Sequence, residues 1–123
     1  IVQVQNDGNF KLGLDYFRHH RENFPYSWDN GSPDVGTLFA PALEDLLGPA
    51  RKKDEPLEQK HRDLARSVQA MYEEAFFALV NSLHKRYGND NITLSGGCAM
   101  NSVANGKVMR MSPFKNVYPK CRR

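Results

Sequence analysis

Long apolar runs are absent from this sequence, and cysteine and net charge are both scarce. Because no run approaches the roughly 20 apolar residues that cross a bilayer, we predict no membrane span. The N-terminus also lacks the basic flank and apolar core of an export signal. The two cysteines, Cys98 and Cys121, have a spacing that supports neither a disulfide framework nor a zinc site. These absences favour a cytoplasmic protein with reduced thiols.

The small net charge of +3 argues against nucleic-acid binding. Basic residues are interrupted by Glu and Asp throughout, whereas nucleic-acid-binding proteins present a basic face interleaved with aromatic side chains. The length of 123 residues is sufficient for one domain with a modest core. The chain opens on Ile1 without an initiator Met, so we expect residues 1–123 to be a single partial domain cut from a longer protein.

The first part of the chain predicts a β-hairpin followed by a loop. Residues 1–5 and 10–14 alternate apolar and polar side chains, and the Asp-Gly dipeptide between them is a strong hairpin signal. The aromatic residues of segment 15–36 predict an ordered loop that they pin to the core, with a partner-binding loop at residues 24–28 as the alternative. The adjacent pair His19-His20 has no third ligand at useful spacing, and neighbouring side chains on a strand point to opposite faces. We therefore predict no metal site there.

Two helices are predicted next. The apolar stripe of residues 37–47 indicates a helix whose regular part begins at Pro41 and ends before Gly48. A much longer helix is predicted over residues 57–87, with Asp54 as its N-cap and Gly88 as its C-cap. Apolar side chains at three- and four-residue steps predict one continuous buried stripe along it. The stripe comprises Leu64, Val68, Met71, Tyr72, Ala75, Leu79 and Leu83. Phe76, Phe77 and Val80 widen this apolar face, so we expect the helix to contact more than one element.

Residues 91–108 then predict a strand, a double-glycine turn and a helix. Gly96 and Gly97 carry no Cβ, so another molecule can approach their backbone closely. The N–H groups of a helix N-terminus at this point would suit an anion. A plain strand-to-helix corner is the alternative. We expect the helix to end near Ser112 and a further strand over residues 114–118, which gives a mixed α/β layout with crossovers onto one sheet.

The residues themselves resemble a known family. Residues 94–107 read LSGGCAMNSVANGK, which closely resembles the L-[AS]-G-G-x-A-[LM]-N-x-x-A-N-G-K segment of the O-carbamoyltransferases. This family includes nodulation-factor and antibiotic carbamoyltransferases. Residues 61–74 are similar to the family's helix motif with its Asp, Gln and Glu positions. Residues 14–17 and 114–118 fit the flanking strands, so the resemblance covers nearly the whole chain in order.

The resemblance implies an actin-like ATPase fold of the ribonuclease H-like type, which is α/β with a mixed sheet and a long central helix. The chain would be the second-lobe piece of the family's N-terminal domain. It further implies an enzyme that transfers a carbamoyl group to an acceptor hydroxyl. The donor would be carbamoyl adenylate, made from carbamoyl phosphate and ATP in a second domain. The fragment alone would be inactive.

The resemblance also implies which residues face the nucleotide. Ser95, Gly96 and Gly97 would contact the adenylate, and Asn101 would point its amide toward the same site. Asn105 follows at i+4 on the same helix face, and a capping or packing amide is the alternative for it.

For other positions the resemblance does not imply contact with the nucleotide. Gln69 and Asp63 are expected to pack, and Cys98 is expected to be a small buried side chain. The intact parent would need a divalent metal, but residues 19–23 lack the third histidine of the family's H-H-x-x-H motif. Residues 119–123 depart from its G-D-x-G motif. No catalytic or metal-binding residue is therefore assigned.

The expected partners are carbamoyl phosphate, a small-molecule acceptor and the remaining lobes of the parent chain. Surface exposed by excision is a candidate for dimerisation. Two alternatives stay open. One is the nucleotide-binding lobe of another actin-like ATPase or kinase, and the other is a non-catalytic interaction module that docks a partner through residues 24–28.

Overall fold

A computed structural model describes residues 1–24, 26–28, 31 and 33–119. Predictions that rest on Pro25, Cys121 or the basic residues 122–123 lie outside this part of the chain. The fold divides into two compact units. The first comprises Ile1 and residues 12–58, and the second comprises residues 2–11 and the chain from Gln59 onward.

The first unit contains a 3₁₀ turn at Leu14–Tyr16 and the helix α1 at Pro41–Leu47. Proline is tolerated at the first helical position because the N–H it lacks would have no intrahelical partner. Gly48 ends α1 with a left-handed φ of 85°, and its N–H donates to the Glu44 carbonyl oxygen. The predicted start at Pro41 and end before Gly48 are both confirmed.

The aromatic residues of this unit are less buried than predicted. Tyr26 and Trp28 are 61% and 66% exposed, and their rings contact each other edge to face. The Arg18 guanidinium lies over the Phe24 ring at 5.3 Å. The prediction that these aromatics pin the loop to a core is therefore wrong for Tyr26 and Trp28, because they pack on each other instead.

The second unit begins with the predicted hairpin. Strands β1 (Val2–Val4) and β2 (Phe10–Leu12) pair in a two-stranded sheet. The turn between them contacts the long helix α2, Gln59–Tyr87. In this contact the Ser82 hydroxyl donates a hydrogen bond to the Asp7 carbonyl oxygen at 2.8 Å. The hairpin prediction is confirmed.

Helix α2 ends at Gly88 as predicted, where a φ of 63° and a hydrogen bond to the His84 carbonyl oxygen form the cap. Its start differs from the prediction. The helix begins at Gln59, beyond Pro56, so Asp54 lies too far upstream to cap it.

The prediction of one continuous buried stripe on α2 is wrong, but two of the residues expected to widen its apolar face, Phe77 and Val80, are buried. The buried side chains of the helix are Phe77 and Val80, whereas Val68 of the stripe is 54% exposed. Leu79 and Leu83 are exposed too. The helix is apolar around much of its circumference, so periodicity alone could not select the face that the rest of the unit covers.

The core of this unit forms where α2 meets a parallel pair of strands. Strands β3 (Asn91–Leu94) and β4 (Asn116–Pro119) pair in parallel, with Ile92 opposite Val117. The core consists of Phe77, Val80, Leu94, Ala99, Val108 and Phe114. The observed class is α/β with a long central helix, as predicted. The single mixed sheet is not observed, since β1–β2 and β3–β4 form two separate sheets among the described residues.

The segment between β3 and β4 differs most from its prediction. Instead of one helix it contains a 3₁₀ turn at Gly97–Met100, helix α3 at Ser102–Asn105 and helix α4 at Val108–Met111. Asn101 breaks the run with extended dihedrals, φ −72° and ψ 90°. Asparagine favours this position because its side chain competes for nearby backbone N–H groups and so prefers caps to helix interiors.

Candidate functional site

The double-glycine turn directly follows the buried end of β3 at Leu94. Gly96 has a φ of 95°, a left-handed conformation that side chains with a Cβ rarely adopt. A Cβ placed on Gly96 or Gly97 would meet no atom within 4 Å. Ser95, Gly96 and Gly97 are all exposed, so the backbone of the turn is open to an incoming molecule.

The 3₁₀ turn after the glycines holds this backbone in place. The Ala99 N–H donates to the Gly96 carbonyl oxygen at 3.2 Å, and Ala99 itself is buried. Because Ala99 is the first donor of the turn, the N–H groups of Gly97 and Cys98 have no partner within residues 97–100. Two backbone donors therefore lie next to the exposed turn.

Cys98 is exposed, contrary to the prediction of a small buried side chain. The tight 3₁₀ winding directs Ala99 into the core and leaves its neighbour outside. The backbone of Cys98 is still anchored, because the Tyr72 hydroxyl donates to its carbonyl oxygen at 2.9 Å. Partial burial, together with the nearby Cys98 thiol, raises the pKa of Tyr72 and keeps this donor protonated.

The expected helix N-terminus is not at the glycines. Helix α3 starts at Ser102 and has only four residues, with Asn101 as its N-cap. The Ala104 N–H donates to Asn101 Oδ1 at 3.0 Å, so part of this terminus is already satisfied by the protein. The argument for anion binding at a helix N-terminus therefore does not apply to the double-glycine turn.

The Asn101 side chain is also paired with α2. Its Nδ2 donates to Gln69 Oε1 at 2.9 Å, and Gln69 Nε2 donates back to Asn101 Oδ1 at 3.3 Å. Both polar ends of the Asn101 amide therefore have protein partners. Gln69 is hydrogen-bonded within the protein, and contact between Asn101 and a nucleotide stays a prediction.

Asn105 presents a different arrangement. Its Nδ2 donates to the Ala99 carbonyl oxygen at 2.6 Å, which ties α3 back to the 3₁₀ turn. Its Oδ1 is buried and accepts no hydrogen bond from any described residue. A buried acceptor without a donor costs free energy, so a ligand N–H or O–H at this point would be stabilised.

An ion pair that the sequence did not reveal lies beside these residues. Lys107 Nζ is 2.6 Å from both Oε1 and Oε2 of Glu73, and the two side chains are 31% and 18% exposed. Gln69 Nε2 also donates to Glu73 Oε1 at 2.9 Å. Hydrogen bonds from Gln69 and Lys107 lower the pKa of the Glu73 carboxyl below its ordinary value. Glu73 lies in the family's helix motif at residues 61–74, and Lys107 ends the motif at residues 94–107. Their place in these motifs was the signal in the sequence that could have identified them.

Asp63 does not join this group, and the packing role expected for it is wrong. It is exposed, and its carboxylate accepts a hydrogen bond from Gln59 Nε2 within α2. Among the described residues, no three His, Cys, Asp or Glu side chains lie close enough together to hold a metal ion. These residues therefore do not fit the metal centre that the resemblance implies.

Comparison with known proteins decides the family. The family described as "Carbamoyltransferase N-terminus" matches residues 7–121, which is nearly the whole chain. The chain belongs to this carbamoyltransferase family. The resemblance stated from residues 94–107 is thereby confirmed, and these residues form the double-glycine turn, α3 and the Lys107 side of the ion pair.

Three relatives of this chain are longer proteins. An uncharacterized protein of Synechocystis sp., sll1178, is 33% identical over 119 residues, covering 96% of this chain and 17% of the relative. The nodulation protein NolNO of Sinorhizobium fredii is 31% identical over 81 residues, or 60% of this chain and 12% of the relative.

The nodulation protein NolO of Bradyrhizobium diazoefficiens is 32% identical over 81 residues, or 60% of this chain and 15% of the relative. The chain thus spans less than a fifth of the length of these curated relatives. No solved structure shows significant similarity to the chain. None of the helices in the described part of the chain combines the length and apolarity of a membrane span.

Proposed function

We propose that this chain supplies part of the adenylate-binding wall of a carbamoyltransferase. The whole protein would transfer a carbamoyl group from carbamoyl adenylate to an acceptor hydroxyl. Family membership supports the reaction class. The observation that carries the site is the exposed backbone of Gly96 and Gly97, where no atom lies within 4 Å of either Cβ position.

The proposed contacts are few and directional. The N–H groups of Gly97 and Cys98 would donate to oxygen atoms of the ligand, and the buried Asn105 Oδ1 would accept a hydrogen bond from it. Gly96 is needed for its left-handed φ, and Gly97 for the space that a side chain would fill. When bound, carbamoyl adenylate supplies the activated carbamoyl group, and the residues of this chain bind and orient it.

The remaining partners belong to the same proposal. The protein would take carbamoyl phosphate, ATP and a small acceptor, and it would act in the cytoplasm. The actin-like fold is proposed for the whole domain, supported by the long helix that precedes the parallel pair β3–β4. No reaction step is assigned to a metal, because the described residues do not fit one. With one wall only, the chain would bind weakly and show no turnover.

Replacing Gly97 with Val tests the backbone approach. Gly97 has no left-handed φ and no neighbour near its Cβ position, so the substitution should leave the fold intact. Amide chemical shifts of residues 95–105 are followed while a non-hydrolysable adenylate analogue is titrated. We expect shifts confined to this segment in the wild-type chain and none in Gly97→Val.

Gly106→Ala is the matched control in the same segment. A Cβ there would make an ordinary contact with the Ser102 carbonyl oxygen, away from the double-glycine turn. This variant should bind as the wild type does. Binding retained by Gly97→Val would refute the backbone approach, and the absence of wild-type shifts at millimolar ligand would refute the nucleotide wall.

A further inference from the structure

We propose that Glu73 and Lys107 are positioning residues for the adenylate site. Their ion pair would hold residues 97–107 against α2 in the one arrangement that presents the Gly96-Gly97 backbone to the ligand. The inference rests on the proposed function, because it concerns the same site.

The first argument is that α2 contacts residues 97–107 near the beginning, in the middle and at the end of this segment. Tyr72 binds the Cys98 carbonyl oxygen, Gln69 pairs with Asn101, and Glu73 pairs with Lys107. Gln69, Tyr72 and Glu73 stand at i, i+3 and i+4, so they share one face of α2. A single helix face thus sets the position of the whole segment.

The second argument is that the segment cannot hold its own shape. It consists of a 3₁₀ turn and one α-helix of four residues, α3. Helices this short are unstable in isolation because nucleation is costly and few hydrogen bonds follow it. Its own buried anchors, Ala99 and Ala104, are small side chains with little apolar surface to bury, and the larger buried side chain of Val108 lies just beyond its end. The orientation of the turn therefore depends on the directional polar contacts with α2.

The third argument traces the path from the ion pair to the glycines. The Lys107 N–H donates to the Ala104 carbonyl oxygen in α3 at 2.9 Å. Asn105, at the end of α3, donates to the Ala99 carbonyl oxygen, and the Ala99 N–H donates to the Gly96 carbonyl oxygen. A displacement of Lys107 would therefore reach the double-glycine turn through a short series of hydrogen bonds.

The chemical type of the contact supports the same role. A well-packed apolar pair would stabilise a core at least as well as a partly buried ion pair, whose desolvation opposes its attraction. An ion pair with an ammonium 2.6 Å from both carboxylate oxygens restricts orientation more than apolar packing does. Such restriction matters where a backbone must meet a ligand.

The experiment measures the affinity of the full-length protein for a non-hydrolysable adenylate analogue, together with the midpoint of thermal unfolding. The variants are Lys107→Met and Glu73→Gln, which keep side-chain length and remove one charge each. We expect the dissociation constant to rise by about tenfold in each, in the range seen when coupled networks are altered.

Lys115→Met is the matched control. Lys115 forms an ion pair with Asp90 at 2.9 Å in the same unit, but both side chains are largely exposed and the pair lies at the start of β3 and β4. Its removal should change the dissociation constant by less than about twofold, as expected for an exposed pair distant from the site.

Two further readouts separate positioning from mere stability. In the double variant Lys107→Met/Glu73→Gln the dissociation constant should rise about tenfold rather than a hundredfold, because the two residues act as a unit. Lys107→Arg keeps the charge and should bind within about threefold of the wild type. The amide shifts of Gly96 and Gly97 should move in the ligand-free Lys107→Met and Glu73→Gln variants and stay unchanged in Lys115→Met.

The outcomes distinguish the inference from the function beneath it. If the wild-type protein does not bind the analogue, the proposed function is wrong. If it binds, and folded Lys107→Met and Glu73→Gln bind equally well, the positioning role is overturned. If Lys107→Met does not fold, Glu73→Gln and Lys107→Arg decide, since the glutamine can still accept the Gln69 hydrogen bond and the arginine keeps the ion pair.

Discussion

Replacing Gly8 with Ala is expected to destabilise the unit that carries the candidate site. Gly8 is buried in the hairpin turn with a φ of 86°. A Cβ on this residue would overlap the Ser82 Cβ and would lie 2.8 Å from the Ala78 carbonyl oxygen. Both neighbours belong to α2, and one of them is backbone, so neither can move away without shifting the helix.

Two separate terms set the size of this effect. An L-residue with a left-handed φ costs roughly 1–2 kcal/mol relative to glycine. Inserting a methyl group into a filled contact adds about 1–3 kcal/mol. We therefore expect Gly8→Ala to lower the free energy of unfolding by about 3 kcal/mol.

The assay is urea unfolding followed by far-ultraviolet circular dichroism, because the 29-residue α2 dominates the helical signal. Gly88→Ala is the matched control, since Gly88 has a φ of 63° and open space at its Cβ position. Gly88→Ala should lower the free energy of unfolding only by the cost of the left-handed φ, about 1 kcal/mol. Equal losses in the two variants would refute the close approach of the hairpin turn to α2.

Two further predictions concern the polar network on α2. Asn101→Ala should lower the free energy of unfolding by about 1 kcal/mol through loss of the N-cap, and Asn101→Ser should recover most of it. If Asn101→Ser does not recover the free energy of unfolding, the loss comes from the hydrogen bonds between Asn101 and Gln69 instead of the N-cap. Because its hydrogen bonds lower the pKa of Glu73, this carboxylate stabilises the fold above the ordinary glutamate range, and the contribution is lost as the pH falls through the lowered pKa. When urea unfolding is measured at a series of acidic pH values, the free energy of unfolding should fall less steeply with decreasing pH for Glu73→Gln than for the wild type. The same pH dependence in both proteins would contradict this assignment.

Short-range signals in the sequence predicted several boundaries of the fold. Pro41 starts α1, and Gly48 and Gly88 end α1 and α2 as predicted. Each of these depends on one residue's dihedral preference and on hydrogen bonds within a single turn. The predicted start of α2 was wrong because two residues, Leu57 and Glu58, lie between Pro56 and Gln59, and no local signal fixed where the helix begins after the proline.

Predictions that required knowledge of the packing were less successful. The apolar stripe through Val68 and Leu79 satisfied helical periodicity, but the buried residues are Phe77 and Val80, which were predicted only to widen the apolar face. Both faces were apolar, and only the position of β3 and β4 against α2 could decide between them. The single helix expected after Gly97 failed for a similar reason, because Asn101 found partners on α2 that favoured a cap.

The sequence by itself determined the family, the order of β1, β2, α1, α2, β3 and β4, and the residues at the double-glycine turn. These follow from motifs and from backbone preferences that act over a few residues. Only the tertiary structure decided that Lys107 meets Glu73 across 34 positions of sequence, and that the buried Asn105 Oδ1 has no donor among the described residues. Such contacts depend on how α2 packs against a distant segment, and no local pattern encodes that geometry.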